Sequence, residues 1–271
     1  MLFARQTLRY TTCACVAGLM TSVAYIPAKA GAWLENEGRG QVIFASTAML
    51  ANQRFDGKGK PRRADLFIMQ ESRTALSYGL TSDITLLGSL SGVSQSTTTD
   101  DGSVQNRSIA PGGGLRVRLW SSADSVISLQ ATAEGRYERA LGEVFTRLEP
   151  RAQAEARVLA GHNFMLGGWS LFAEVQAGGR WRGNGFAHEA MLDLTLGVRA
   201  HPSVQILLQS FNTVDLARNS NAMRVRQHKM QLSAAFDVTR AITAQLGAFT
   251  SLNGQGSLRE HGGLLAVWRK F

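Results

Sequence analysis

Residues 171–182 read LFAEVQAGGRWR, a stretch in which two kinds of side chain alternate. The odd positions are Leu171, Ala173, Val175, Ala177, Gly179 and Trp181, and the even positions are Phe172, Glu174, Gln176, Gly178, Arg180 and Arg182. A period of two places these sets on opposite faces of a β-strand. One face of the predicted strand is apolar, and the other is mostly polar or charged.

The same alternation returns in residues 151–158, 189–199 and 229–238. It predicts an all-β fold, a single antiparallel transmembrane β-barrel of about 12 strands whose apolar face contacts lipid and whose polar face lines the lumen. The predicted strands are 40–53, 65–79, 84–94, 113–120, 125–137, 150–161, 169–182, 188–200, 203–213, 227–238, 242–252 and 258–271. Tight turns, which we assign to the periplasmic side, alternate with mostly longer extracellular loops at 54–64, 95–112, 138–149, 183–187, 214–226 and 253–257.

A soluble periplasmic sandwich or lipocalin-like barrel is the main alternative, because its strands also alternate. Three features favour the membrane barrel. The apolar face is rich in Ala and Gly, which fill a dry core poorly. The polar face carries facing sets of Arg and Glu, and the chain closes on the aromatic Phe271. This ending is typical of barrels inserted by the barrel-assembly machinery, the expected assembly partner.

Residues 1–30 have the features of a cleaved signal peptide. Arg5 and Arg9 precede an uncharged segment, 10–26, and Ala28-Lys29-Ala30 forms a small-x-small cleavage site. We therefore predict that residues 31–271 form the mature barrel; a short membrane anchor is the alternative. Both cysteines lie in the leader. Residues 31–39 are either a periplasmic cap on the lumen, anchored by Trp33, or a frayed terminus.

The formal net charge of +9 raises the possibility of a nucleic-acid partner. We exclude nucleic acid because Lys and Arg are spread along the whole chain. The expected surroundings are outer-membrane lipid and lipopolysaccharide, whose phosphates the basic run 58–63 could contact. The histidines lack the spacing of a metal site, and the sequence predicts no cofactor.

Three short motifs resemble those of known proteins. The start GAW at 31–33 with GRGQVI at 38–43 resembles XagA-like proteobacterial barrels, and YGLTSDITL at 78–86 resembles a turn of a wider channel-like group. That group includes the meta-pathway phenol-degradation barrels, and the closing GGLLAVWRKF at 262–271 resembles its last strand. The resemblance implies an outer-membrane location and traffic of solutes or exopolysaccharide, and it supplies no catalytic residues.

The alternation predicts a set of charged side chains that line the lumen. The candidates are Arg116, Arg118, Glu134, Arg136, Glu155, Arg157, Glu174, Arg180, Arg182, Asp193, Arg199, Lys229 and Asp237. Because a bare charge in a dry interior is costly, these groups must meet water or each other. Segregated charges would give a narrow channel for small polar or anionic solutes, the function we favour. Paired charges would give a closed barrel with a structural or binding role.

Catalysis is a remote alternative. Ser210 and Asn212 face outward near the end of one predicted strand, and His228 faces outward at the start of the next. A His beside a Ser hydroxyl is the minimal nucleophilic pair of a lipid hydrolase. No His-x-Ser motif is present, so we predict that the protein is not an enzyme.

Overall fold

The computed structural model describes residues 31–99, 102–141, 149–183, 186–216 and 224–271; the predicted leader lies outside them. Within these ranges the chain forms twelve strands. They are β1 Gly40–Phe55, β2 Pro61–Thr81, β3 Ile84–Thr99, β4 Gly102–Ser121, β5 Ser125–Leu141, β6 Glu149–Leu166, β7 Trp169–Arg182, β8 Glu189–His201, β9 Val204–Asp215, β10 Arg226–Asp237, β11 Ile242–Gln255 and β12 His261–Lys270.

Each strand pairs with its neighbours in sequence, and β1 pairs antiparallel with β12 to close the barrel. The closing register runs from Gln41 opposite Lys270 to Leu50 opposite His261. Closure leaves none of the twelve described strands with an unpaired edge, as a lipid environment requires. The predicted antiparallel barrel of twelve strands is confirmed.

Strand β8 shows how the alternation positions side chains. Leu192, Leu194 and Leu196 point outward and are 42–44% exposed, whereas Met191 and Thr195 point into the lumen and are buried. Outward apolar side chains recur on the other strands. Such an extensive exposed apolar surface suits contact with acyl chains rather than water.

The loop predictions at 54–64 and 95–112 are wrong, because most of these residues belong to strands. β2 has 21 residues and would span roughly 50 Å at the usual tilt, against about 25 Å of lipid. β3 and β4 pair as far as Thr99 opposite Gly102. The outer ends of these strands project beyond the lipid, so neither face needs apolar residues and the alternation disappears. Residues that the sequence predicted as extracellular loops instead extend the barrel wall.

The inner face is less uniformly polar than the alternation predicts. The buried side chains of one apolar cluster are Ile43, Ala45, Phe172, Leu207, Ala235, Leu264, Ala266 and Trp268. β1, β9, β10 and β12 supply most of them, while the charged side chains concentrate on β5 to β8. The lumen therefore has an apolar side and a charged side. The apolar side packs against Trp33, a residue of the chain that precedes β1, and therefore contacts protein rather than water.

Candidate functional site: the barrel lumen

Residues 31–39 run from the end of the barrel that carries the short turns into the lumen, with 36–39 exposed at the rim and 31–35 inside. This is the periplasmic end in barrels of this kind. The Gly40 amide donates to the Phe271 carbonyl at the rim, and the Gly38 amide donates to the Gly79 carbonyl at 2.9 Å. Further in, the Glu35 amide donates to Thr85 Oγ1 at 3.0 Å. We call residues 31–39 the N-terminal segment.

Trp33 anchors the middle of the N-terminal segment. Its ring meets Phe172 edge-on, with the centroids 6.3 Å apart, an attractive aromatic geometry. The Trp33 carbonyl accepts a hydrogen bond from Arg116 Nη1 at 3.1 Å. Gly161 lies under the indole, since a Cβ at that position would come within 2.3 Å of it. The barrel wall thus has a shaped seat for this side chain.

Ala32 of the N-terminal segment binds two lumen side chains. The Ala32 amide donates to Glu174 Oε2 at 2.7 Å, and Ser128 Oγ donates to the Ala32 carbonyl at 3.0 Å. Glu174 is only 2% exposed, and its other carboxylate oxygen accepts from the Gln176 side chain. Hydrogen bonds between side chains and backbone therefore fix the segment deep in the bore.

Arg116 is the buried cation nearest to the N-terminal segment. Its Nε and Nη2 atoms donate to Gln130 Oε1 at 3.1 and 2.8 Å. Its partners among the described residues are neutral groups, the Gln130 amide and the Trp33 carbonyl. No described carboxylate lies within ion-pair distance of Arg116, and its charge acts on Glu174 only through space.

An ion-pair ladder crosses the lumen face of β6 to β9. Arg157 pairs with Glu155 and Asp193, and Arg180 pairs with Glu155 and Glu189 at 2.9 Å each. The ladder continues through Arg182, which binds Glu189 at 2.9 Å and Asp215 at 3.3 Å. Alternating signs let each buried charge meet an opposite one, which offsets the cost of removing it from water.

The remaining candidates lie at different heights in the barrel. Glu134 contacts Arg136 at 3.5 Å and Arg73 at 3.7 Å on the inner wall. The partly exposed Arg118–Asp83 and Arg199–Asp237 pairs mark the short-turn rim, with N–O distances of 3.5 and 2.7 Å. Rim pairs of this kind are screened by water and contribute little to stability.

At the opposite mouth, residues 256–260 fold inward between β11 and β12. Glu260 is fully buried and pairs with Lys229, while Gln227 Nε2 donates to Glu260 Oε1 at 2.9 Å. Leu258 packs against the inward side chains of β1 to β3, which are Met49, Ala51, Phe67, Met69 and Val93. This segment narrows the extracellular mouth, and the alternation of the strands did not predict it.

Two cavities lie along the bore. One of about 90 Å³ adjoins the ladder and is lined by Arg73, Glu134, Glu155, Arg157, Arg180, Asp193 and Phe211, among others. The other, of about 490 Å³, lies at the short-turn end beside Trp33, Leu34, Asn36, Arg118 and Arg199, among others. Trp33 borders the 490 Å³ cavity. Gly31 lies close to Gln176, whose side chain accepts a hydrogen bond from Arg157, a lining residue of the 90 Å³ cavity. The N-terminal segment thus lies between the two spaces.

The outward-facing trio proposed as a remote catalytic site does come together. Asn212 Oδ1 contacts His228 Nδ1, and Asn212 Nδ2 donates to Ser210 Oγ at 3.1 Å. Asn212 therefore lies between the Ser and the His. A nucleophile needs its base at hydrogen-bond distance, and no described contact joins Ser210 to His228.

Within the described ranges, no helix is long and apolar enough to cross a membrane, and no group of three or more His, Cys, Asp or Glu side chains could hold a metal ion.

No protein-family model and no curated protein matches the sequence. The fold, in contrast, is similar to known barrels. The COG4313 outer membrane channel from Pseudomonas putida F1 aligns with a TM-score of 0.67 at 14% identity, over 92% of this chain and 100% of that one. The translocator domain of the autotransporter NalP from Neisseria meningitidis aligns at 0.59 and 11% identity, over 87% and 90%. The β domain of the Bordetella autotransporter BrkA gives 0.58 and 12%, over 85% and 99%. These likenesses show the fold, and together with the apolar outer wall they place the chain in an outer membrane.

Proposed function

We propose that the protein is a narrow outer-membrane channel for small polar or anionic solutes, closed at rest by its N-terminal segment. The observation that carries the proposal is the way the periplasmic half of the lumen is filled. A terminal segment occupies it and is held by Thr85, Arg116 and Ser128. A barrel built only as a scaffold has no need of such a separate filling, because its own side chains can pack the bore.

Withdrawal of the N-terminal segment would free the groups that now bind its backbone. Arg116, Gln130 and Ser128 would then present a guanidinium, an amide and a hydroxyl to the bore. These groups bind carboxylates, phosphates and hydroxyls, so the exposed surface favours small anionic or hydroxylated solutes. The solved barrel with the highest similarity quoted above is itself described as an outer membrane channel, which supports the proposal.

Conductance in planar bilayers tests the channel. We expect low conductance from the mature chain and a several-fold higher conductance from a variant lacking residues 31–38. In that shortened variant, Arg116→Gln should reduce selectivity for anions over cations. Arg269→Gln is the matched control, because Arg269 lies on the exposed, outward side of β12 and should leave selectivity unchanged.

The closed barrel is a second candidate, and the pairing of charges in the ladder favours it. A dry, ion-paired bore would conduct neither with nor without residues 31–38, so the same recording separates the two candidates. Export of exopolysaccharide is tested by vesicle swelling in neutral oligosaccharides. If deletion of residues 31–38 increases swelling in oligosaccharides but not in small anions, the transported solutes are oligosaccharides rather than the small anions proposed here.

A further inference from the structure

Glu174 is a buried carboxylate whose described hydrogen-bond partners are all neutral, and the Arg116 charge acts on it only through space. It accepts hydrogen bonds from the Ala32 amide and the Gln176 side chain, and none of the described ion pairs includes it. Glu155, Glu189 and Asp193 on the same inner wall each meet an arginine. A carboxylate at 2% exposure without a cation in contact is costly, and Glu174 lacks the direct ion pair that its neighbours have.

Gly31 lies against this carboxylate. A Cβ added to Gly31 would lie 3.3 Å from Glu174 Oε1 and 2.9 Å from Gln176 Nε2, so the Gly31 Cα, to which the nitrogen is bonded, lies beside the carboxylate. A side chain at this position would require the Gln176 amide to shift. Gly31 follows Ala30, the last residue of the small-x-small motif at 28–30.

We propose that the mature chain begins at Gly31 and that its α-ammonium group is the cation that neutralises Glu174. Hydrolysis of the Ala30–Gly31 bond by a signal peptidase adds a water hydroxyl to the Ala30 carbonyl carbon and the remaining water proton to the Gly31 nitrogen. The new Ala30 carboxylic acid ionises, and the amine takes up this second proton. An α-amino group is mostly protonated at neutral pH. Leader removal thus creates the charge that fixes the N-terminal segment in the lumen, whether or not the lumen conducts.

A chain that continued beyond Gly31 would disturb this arrangement. Gly31 is buried among Glu174, Gln176 and Leu159, which leaves little space for a residue bonded to its nitrogen. An amide nitrogen at Gly31 would also carry no charge. The ion pair therefore forms only after processing, and it makes seating of the segment depend on a free terminus.

The first test is the mass and terminal sequence of protein purified from outer membranes. A start at Gly31 is expected, and a start at any other residue would overturn the proposal. The second test is the rate at which cyanate labels the α-amino group of the folded protein. Because an ion pair holds the amine, Glu174→Gln should raise this rate about tenfold or more, equivalent to about 1.4 kcal/mol. Glu37→Gln makes the same chemical change at an exposed position of the segment and should not.

A third measurement does not depend on folding of the Glu174 variant. The mature chain is refolded with either a free or an acetylated Gly31. The acetylated chain should lose its heat-modifiable gel mobility at a lower temperature, because its Glu174 then has no cation in direct contact. Equal transition temperatures, or cyanate labelling of the folded wild type as fast as of the boiled protein, would contradict the ion pair. None of these readouts measures conductance, so they are independent of the proposed function.

Discussion

Ile43 of β1 and Trp268 of β12 are register partners in the seam that closes the barrel, and both side chains point inward and are buried. First and last strands thus join through an apolar pair. Truncating Trp268→Ala should cost about 3–5 kcal/mol, the usual range for a buried Trp. The free energy of unfolding in lipid vesicles would measure it.

Trp268→Phe is the matched variant. The Trp268 Nε1 atom is buried and has no hydrogen-bond partner among the described residues, so its loss removes an unsatisfied donor. We expect Phe to recover most of the stability lost with Ala. If Phe and Ala are equally destabilising, the seam is not held by apolar packing.

Arg157 forms ion pairs with both Glu155 and Asp193 in the ladder. Arg157→Met leaves Asp193 without its described ion partner in the bore, and breaking a buried pair in this way costs about 3–5 kcal/mol. Adding Asp193→Leu should restore much of the stability, because the uncompensated charge is then gone. Arg118→Gln, at the water-exposed rim, should cost no more than about 1 kcal/mol. Denaturant titration of all four proteins tests this order, and equal costs for Arg157 and Arg118 would contradict a buried ladder.

Gly161 provides a way to displace the N-terminal segment without deleting it. A Cβ at Gly161 would come within 2.3 Å of the Trp33 ring, so Gly161→Ala should push the indole from its seat. Trypsin cleavage after the exposed Arg39 should then become faster in the folded protein. Gly92→Ala, where a Cβ meets nothing within 4 Å, should leave the cleavage rate unchanged. Unchanged cleavage in both variants would show that Trp33 does not hold the segment.

The turn between β1 and β2 should respond to pH through Asp56. Backbone hydrogen bonds from Lys60 and Lys58, at 2.9 and 2.8 Å, lower the pKa of Asp56 below its ordinary value. Because the folded pKa is depressed, the stabilisation is present above the unfolded pKa of about 3.9 and is lost as the pH falls through the folded pKa. Amide exchange at Lys58 and Lys60 should accelerate over that acidic range. Asp56→Asn keeps an acceptor oxygen, so its exchange should lack this additional acid-dependent step.

The sequence predicted the strands best where lipid and lumen impose opposite demands. Leu192, Leu194 and Leu196 had to face acyl chains, so their period of two was visible and the register followed. In SQSTTT at 94–99 both faces are polar, because the projecting wall meets no lipid, and the same reasoning gave a loop. Alternating polarity identifies a strand only where its two faces meet different environments. Where both faces meet water, a strand shows no alternation and resembles a loop.

The lumen was less predictable because its contacts are non-local. Parity identified Glu174 as a lumen residue, but its partner Ala32 is 142 residues away in sequence. Neither feature follows from the pattern of one strand. The pairing of charges depends on the register between nearby strands, and the apolar inner wall near Trp268 packs against Trp33 of the N-terminal segment.

The height of the lipid layer on the wall can be tested with two outward leucines. Leu194 lies midway along β8, whereas Leu66 lies on the part of β2 that projects beyond the lipid; both are about two-fifths exposed. Leu194→Arg should cost about 2–4 kcal/mol because a charge then lies near the bilayer midplane, whereas Leu66→Arg should cost about 0–1 kcal/mol. Unfolding titrations in vesicles would compare them. In detergent micelles, which surround the wall less uniformly, the difference should shrink. Equal costs in vesicles would mean that lipid covers the projecting wall as well, and that the membrane is not confined to the short-turn half of the barrel.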